Sequence, residues 1–171
     1  MSHSAGVTVG VPTELKADEH RVAITPDGVR ELRHRDVTVL VEAGAGSGAS
    51  IADEKFRDAG AEIIVSAKEV WERSEVVCKV KEPLAEEFAH FRHDLTLFTY
   101  LHLAAYPDVA AALLEAGTTA SAYETVQTTE GALPLLAPMS EVAGRMSIQI
   151  GAHFLERHNG GRGVLMGGAP G

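Results

Sequence analysis

Cysteine, long apolar runs and basic charge are all scarce in this 171-residue sequence, and each scarcity excludes a class of protein. The single cysteine excludes an internal disulfide framework and suits a reducing cytoplasm. No apolar run reaches the roughly 18 residues that a transmembrane helix requires, and the first residues lack the pattern of a signal peptide. Because 15 basic residues stand against 24 acidic ones, nucleic acid is disfavoured as the main partner. We therefore expect a cytoplasmic protein with no membrane and no nucleic-acid partner.

What is present is the composition of a globular chain, with 45% apolar residues, 23% charged residues and a mean hydropathy of +0.01. Short apolar runs alternate with amphipathic segments, which is typical of β-α-β units. The runs are rich in Val, Ile, Leu and Thr and are mostly apolar on both faces, as buried parallel strands are. They cover residues 7–11, 37–41, 62–65, 76–80, 95–100 and 119–122. The sequence predicts an α/β fold with a doubly wound, mostly parallel sheet.

Local signals place helices between these strands. Thr25-Pro26 is an N-cap followed by proline at the first helical position, and residues 66–69 form a capping box. Pro107 begins a further helix, which Gly117 ends as a C-cap.

The longest predicted helix covers residues 140–158. Its apolar residues recur at every fourth position, which indicates a packing surface; they are Val142, Met146, Ile150 and Phe154. A glycine-rich segment, residues 160–171, follows it. We therefore predict two domains, residues 1–134 and residues 135–171, of which the second is a long connecting helix and the beginning of a further domain.

Three basic residues follow three different predicted strands: Arg21 after the first, Lys81 after the fourth and His102 after the fifth. In open α/β sheets ligands bind beyond the carboxyl ends of the strands, so these side chains are candidates for one site. Arginine can hold a carboxylate by two parallel hydrogen bonds, lysine can polarise a carbonyl, and histidine can exchange a proton near neutral pH. Together they suit a 2-oxo or 2-amino acid. The alternative is that each is an ordinary surface residue at a strand end.

Two other patterns are weaker. Residues 44–49 match G-x-G-x-x-A, a dinucleotide-binding pattern, but they follow the second strand, and a mobile glycine loop is the favoured interpretation. Glu86, Glu87, His90 and His93 could share a helix face and bind a metal. Their segment is polar, so we favour a solvated surface and predict no metal site.

Two residues at strands receive a structural interpretation. Cys78 lies within a predicted strand with no neighbouring histidine, so it is predicted to be a small core residue. Glu124 follows the last strand and faces the ligand side, where its charge would repel a carboxylate substrate.

The order of the motifs gives a more specific signal. Near the start the sequence carries Val-Gly-Val-Pro-Thr-Glu-Leu-Lys at 9–16 and Glu-His-Arg-Val-Ala-Ile-Thr-Pro at 19–26. Glu-Ala-Gly-Ala-Gly at 42–46, Lys-Val-Lys-Glu-Pro at 79–83 and Leu-His-Leu-Ala at 101–104 follow. The last two motifs are Tyr-Glu-Thr-Val at 123–126 and Pro-Leu-Leu-Ala-Pro-Met-Ser-Glu-Val-Ala-Gly at 134–144. In this order they resemble the N-terminal half of bacterial alanine dehydrogenases. The resemblance implies a Rossmann- or flavodoxin-like substrate domain. Proton-translocating transhydrogenases are similar around residues 21–23, but residues 138–144 resemble the dehydrogenase branch.

The resemblance implies an NAD-dependent, reversible oxidative deamination of L-alanine to pyruvate and ammonium. It gives the substrate carboxylate to Arg21, the carboxylate or carbonyl region to Lys81 and general acid/base chemistry to His102. Met139 would line the substrate pocket. Ser140 would contact the NAD phosphates from the first turn of the long helix, where free N–H groups and the helix dipole favour an anion. In this family the NAD fingerprint is not the glycine segment 44–49.

Members of this family continue beyond the position of Gly171 into an NAD-binding domain, so we expect this chain to be a truncated N-terminal portion. Hydride transfer requires reactants held within about 3–3.5 Å, so we expect negligible dehydrogenase activity from the chain alone. Members of the family are homohexamers, and we expect a homo-oligomer. The alternatives are the NAD-binding subunit of a proton-translocating transhydrogenase and a non-catalytic carboxylate-binding or assembly module.

Overall fold

The computed structural model describes residues 6–168, and its first part is built around one six-stranded sheet. The strands are β1 (Thr8–Val11), β2 (Thr38–Glu42), β3 (Glu62–Ile64), β4 (Val76–Cys78), β5 (Thr96–Thr99) and β6 (Thr119–Ala122). Their order is β3-β2-β1-β4-β5-β6, and every pair is parallel. The predicted α/β class is confirmed, and each strand overlaps the segment in which it was predicted.

Helices connect the strands, and three of the first four begin at the predicted signals. They are α1 (Pro26–Arg33), α2 (Asp53–Asp58), α3 (Ala67–Arg73) and α4 (Pro107–Ala116), with α5 (Ala137–Leu155) further along the chain. The side chains of Thr25 and Ser66 each accept a hydrogen bond from a first-turn amide, at 3.4 Å. Gly117 ends α4 with φ = 66°, a left-handed conformation that glycine adopts without steric strain.

Helices cover both faces of the sheet. Successive side chains of a strand point to opposite faces, so neighbouring residues of one strand pack against different helices. On β2, Val41 packs in a cluster with Val29 of α1 and Phe56 of α2. Its neighbour Leu40 packs instead with Val70 of α3. The sheet is therefore doubly wound, as predicted. Strand β2 is apolar on both faces because both of its faces are buried, whereas the edge strand β6 is largely exposed.

The direction of winding reverses between β1 and β4. The strands from β1 to β3 extend the sheet one way, and those from β4 to β6 extend it the other way. The connections after β1 and after β4 therefore leave toward opposite faces and open a crevice at the carboxyl ends of these strands. This crevice is where an α/β sheet of this order binds ligands, and the segments that follow β1, β4 and β5 reach it.

The chain divides into two compact units between Thr125 and Val126. Helix α5, in the second unit, begins before the predicted residue 140 because Pro138 lies in its first turn, where a missing N–H does no harm. It ends at Leu155 because Glu156 has an extended conformation. The predicted apolar stripe of α5 is exposed to solvent. Within residues 6–168 no helix is long and apolar enough to cross a membrane.

Candidate active site

The turn after β1 differs from a dinucleotide-binding turn. Such a turn carries glycines that let the backbone approach a pyrophosphate. Here the segment is Pro12-Thr13-Glu14, and the Thr13 N–H donates to a Glu42 carboxylate oxygen at 2.7 Å. Acidic side chains repel a pyrophosphate, and the amide that could bind it is already used. The crevice therefore does not fit NAD, although the strand order is that of NAD-binding folds.

A buried ion-pair network joins the ends of β1 and β4. The Lys79 side chain is 1% exposed, and its Nζ lies 3.3 Å from a Glu14 oxygen and 2.9 Å from a Glu87 oxygen. Glu14 also accepts hydrogen bonds from the amides of Val80, at 2.6 Å, and Lys81, at 3.3 Å. Because the Glu14 carboxylate binds the amides on either side of the Val80 Cα, it fixes the backbone from which the Lys81 side chain extends.

The Arg21 side chain lies on the connection after β1 and is about half exposed. Its Nε and Nη2 donate to the two carboxylate oxygens of Glu19, at 2.8 and 2.5 Å. This pairing lowers the pKa of Glu19 and raises that of Arg21. Lys81 contributes to the lowered pKa of Glu19, and Tyr100 contributes to the raised pKa of Arg21. Direct contacts join these loops: Glu14 accepts from the amides that follow β4, and Glu82 faces His102 after β5.

His102 follows β5 in a strained turn. Its φ is 47°, in the left-handed region that non-glycine residues rarely adopt. Glu124 holds this turn, because its carboxylate accepts hydrogen bonds from the amides of His102, at 2.7 Å, and Leu101, at 3.2 Å. The His102 side chain is 45% exposed, and its ring stacks near Tyr100 with 5.9 Å between centroids. Glu124 therefore stabilises the turn, a role that the sequence analysis did not assign to it, and its repulsion of a carboxylate substrate stays a prediction.

Glu82, next to Lys81, reaches the same turn from β4. Its side chain is 1% exposed; Lys16 Nζ donates to Oε1, while Oε2 lies 3.7 Å from His102 Nδ1. Lys16 Nζ also lies 3.0 Å from the Tyr106 hydroxyl. The structure therefore brings Arg21, Lys81 and His102 to one edge of the sheet, surrounded by carboxylates that fix their backbones or face their side chains.

Cys78 and Tyr123 lie beneath this edge. Burial raises the pKa of the Cys78 thiol to about 11 and also raises that of the Tyr123 hydroxyl. Tyr123 packs edge-on against Phe98 and Tyr100, with ring centroids 4.3 and 5.1 Å away. A thiol with so high a pKa is a poor nucleophile, so Cys78 is a core residue, as predicted.

The glycine segment 44–49 forms a hydrogen-bonded turn in which Gly44 has the positive φ of 81° expected of glycine. The Gly44 amide donates to Asp53 at 2.9 Å, and residues Ser47–Ala49 form a short 3-10 helix. A Cβ added at Gly48 would lie 2.8 Å from the His20 carbonyl oxygen, so this glycine allows close contact with the backbone next to Arg21. The segment supports the Arg21 loop and shows no phosphate cradle.

Two of the four candidate metal residues have other partners. Glu87 is buried, pairs with Lys79 and accepts the Leu84 amide at 2.9 Å. His90 stacks on Trp71 with 5.4 Å between ring centroids. The interpretation of this segment as a solvated surface is therefore wrong for Glu87. Among the residues that the structure describes, no three His, Cys, Asp or Glu side chains are grouped as a metal would require.

Met139 and Ser140 lie in the first turn of α5, in the second unit. The amide of Ser140 donates to Leu136 at 3.2 Å, that of Met139 to Leu136 at 3.1 Å, and that of Ala137 to Leu133 at 2.9 Å. Pro138 has no N–H. The premise that free amides here attract a phosphate is therefore wrong, and the assignment of Ser140 to NAD stays a prediction that the resemblance alone supports.

The strand order and the site define a class: a doubly wound α/β domain whose switch-point crevice carries ionisable side chains in place of a glycine cradle. Residues 10–143 match the family model described as "Alanine dehydrogenase/PNT, N-terminal domain". The chain belongs to this family.

Individual relatives agree with that assignment. The protein named Alanine dehydrogenase from Mycolicibacterium smegmatis is 61% identical over 163 residues, which are 95% of this chain and 44% of the relative. Its namesake from Bacillus subtilis is 58% identical, over 95% of this chain and 43% of the relative. The chain thus spans under half the length of these relatives.

Solved structures give the same result. One titled L-alanine dehydrogenase matches with a TM-score of 0.87 and 51% identity, over 96% of this chain and 45% of the other. A transhydrogenase from Sinorhizobium meliloti matches with a TM-score of 0.64 and 29% identity, over 68% of this chain and 33% of the other. Both the identity and the coverage place the chain nearer to the dehydrogenase branch.

Sequence reasoning missed the acidic half of this site. Glu14, Glu19 and Glu82 received no role, although each lies on the connection that follows a strand predicted to end at this edge. Their position relative to the strands was the available signal. In the structure each of them pairs with a cation or an amide.

Proposed function

We propose that this chain is the substrate-binding part of an alanine dehydrogenase, acting on L-alanine and pyruvate. The observation that carries the proposal is that Arg21, Lys81 and His102 lie on the segments that follow β1, β4 and β5, at the carboxyl edge of a sheet whose fold matches L-alanine dehydrogenase. Supporting arguments are the identities of 58–61% to proteins of that name. The proposal includes a cytoplasmic location and a homo-oligomeric assembly, which rest on the single cysteine and on the family resemblance.

In the proposed reaction Arg21 and Lys81 bind the substrate carboxylate. A guanidinium has five N–H donors, and Glu19 accepts from two nitrogens of the Arg21 fork, which holds the side chain in a defined orientation. The carboxylates of Glu14 and Glu82 are buried and paired with Lys79 and Lys16, which reduces their repulsion of an incoming anion.

His102 would handle the proton in this reaction. Its half-exposed ring lies beside the crevice, where it can accept a proton from the ammonium group of alanine and return one during the reverse amination. NAD is the hydride carrier that the resemblance implies. Because the crevice does not fit that group, the steps assigned to the residues of this chain are carboxylate binding and proton transfer.

A pyruvate titration followed by NMR tests substrate binding. We expect saturable shifts of the His102 ring and of the amides after Lys81, which Arg21→Ala abolishes. Arg73→Ala is the matched control, because Arg73 also pairs with glutamates at 2.8 Å but lies on the outer surface of α3. Shifts that persist in Arg21→Ala, or that disappear equally in Arg73→Ala, would contradict the proposal.

Activity of the isolated chain is a separate test. Because its crevice has no dinucleotide cradle, we expect the 171-residue chain to produce no NADH from alanine and NAD. Alanine-dependent NADH formation above that of a His102→Ala control would show that the chain binds the dinucleotide in a way that the crevice geometry does not support.

A further inference from the structure

One carboxylate oxygen of Glu82 is buried but receives no hydrogen bond from the described part of the chain. Among residues 6–168, the Glu82 Oε2 atom has no hydrogen-bond partner, although the side chain is only 1% exposed. Leaving a buried carboxylate oxygen unbonded is costly, and an atom of this kind in a native fold requires an explanation. The ionisable group that faces it is the His102 ring, with Nδ1 at 3.7 Å.

The other oxygen of Glu82 is fixed. Lys16 donates to Oε1, and Lys16 is itself held by the Tyr106 hydroxyl at 3.0 Å. With Oε1 held by a cation, the carboxylate cannot rotate to exchange its two oxygens without breaking that ion pair. Oε2 is therefore kept directed at His102.

The His102 backbone is fixed as well, by the two amide hydrogen bonds to Glu124. What remains adjustable is the ring, which is 45% exposed. The separation of 3.7 Å exceeds an N–H···O hydrogen bond by about 0.8 Å, which a small rotation of the ring closes.

We propose that Glu82 is a positioning residue for His102: its Oε2 accepts a hydrogen bond from Nδ1–H and so keeps the proton-exchanging Nε2 directed at the crevice. In a neutral imidazole one nitrogen donates and the other accepts, and the hydrogen bond made by one of them decides which tautomer is present. A carboxylate only accepts, so it selects the Nδ1–H tautomer and leaves Nε2 as the base. The catalytic use of that base rests on the proposed function. The preference for the Nδ1–H tautomer follows from the geometry of Glu82 and His102 alone.

The tautomer of His102 is measured directly from the 15N shifts of its ring, in the full 171-residue chain. In the unsubstituted protein we expect Nδ1–H to predominate. In Glu82→Gln we expect reversal to Nε2–H. The reason is that Lys16 retains the amide oxygen as its acceptor, so the NH2 group of glutamine faces His102 and requires Nδ1 to accept.

Glu87→Gln is the matched control. Glu87 is an equally buried glutamate that pairs with a lysine, but its partner is Lys79 and it does not contact His102. We expect this variant to leave the tautomer of His102 unchanged. A general loosening of the fold would alter both variants alike, whereas reversal in Glu82→Gln alone requires a direct effect of the Glu82 carboxylate.

Two results would overturn the inference: a majority of Nε2–H in the unsubstituted protein, or the same tautomer in Glu82→Gln as in the unsubstituted chain. The first is decisive even if the variant does not fold. Pyruvate titration of the same samples separates the two proposals. If pyruvate binds but the tautomer does not depend on Glu82, this inference fails and the proposed function stands. If the tautomer reverses in Glu82→Gln but pyruvate does not bind, the inference stands and the proposed function fails.

Discussion

Replacing Lys79 by methionine measures how far the stability of this domain depends on one buried charge. Methionine has a similar length and removes only the ammonium group. The substitution leaves the carboxylates of Glu14 and Glu87, which are 3% and 5% exposed, without their shared cation. Removing one partner of a buried ion pair costs about 3–5 kcal/mol, because the remaining charge stays buried.

The lower end of that range applies to Lys79. Glu14 keeps the amides of Val80 and Lys81 as donors, and Glu87 keeps the amide of Leu84. Hydrogen bonds of this kind stabilise an ionised carboxylate by themselves. We therefore expect Lys79→Met to lower the free energy of unfolding by about 3 kcal/mol at neutral pH.

Urea denaturation followed by fluorescence is the appropriate assay, because the chain has one tryptophan, Trp71, and it is 1% exposed. With a slope of about 2 kcal/mol per molar urea, a loss of about 3 kcal/mol lowers the midpoint by roughly 1.5 M. The slope itself should not change if the denatured state is unaffected.

Arg73→Met is the matched control. Arg73 also binds two glutamates, Glu62 and Glu69, at 2.8 Å, and this pairing raises its pKa. All three side chains are exposed, so the network is screened by water and its loss should cost less than about 1 kcal/mol. Equal losses in Lys79→Met and Arg73→Met would refute the argument that burial decides the magnitude.

A triple variant tests the same reasoning from the opposite side. Adding Glu14→Gln and Glu87→Gln to Lys79→Met removes every unpaired charge while the amide oxygens still accept the backbone N–H groups. We expect it to recover at least half of the lost stability, because neutral replacements of whole buried ion pairs are tolerated far better than broken pairs.

Three single contacts give further predictions. Gly48→Ala places a Cβ 2.8 Å from the His20 carbonyl, so urea midpoints should show a loss of about 1–3 kcal/mol. Arg21→Ala should raise the pKa of Glu19 toward its ordinary value, measured by 13C NMR titration; because that pKa is lowered in the folded chain, the pair stabilises the fold above the ordinary pKa and less as pH falls through the lowered one. Cys78, with a pKa of about 11, should react with iodoacetamide at pH 8 about 100-fold more slowly in the folded chain than in urea.

The strands and most helix ends could be predicted from the sequence because their causes are local. A run such as Thr38–Glu42 is apolar on both faces whatever its neighbours are, and Thr25 caps a helix through a hydrogen bond to an amide three residues away. The three cations at strand ends could be named for the same reason, since a strand end is visible in the sequence.

The partners of these cations are not local. Glu14 and Lys79 are separated by 65 positions in the chain and meet only because β1 and β4 are neighbours in the sheet. Glu87, which the sequence pattern placed on a solvated surface, is buried and pairs with the same Lys79. Hydrophobic periodicity reports which residues are buried against the sheet, but it does not report the order of the strands.

The amino-acid sequence by itself thus determined the fold class, the family and the cationic residues of the candidate site, because each depends on residue type and on order along the chain. The tertiary structure alone decided that Glu19 pairs with Arg21, that Glu124 holds the His102 turn and that Glu82 faces the His102 ring. The interaction of charged groups depends on their separation in space and on their burial, and the folded chain sets both.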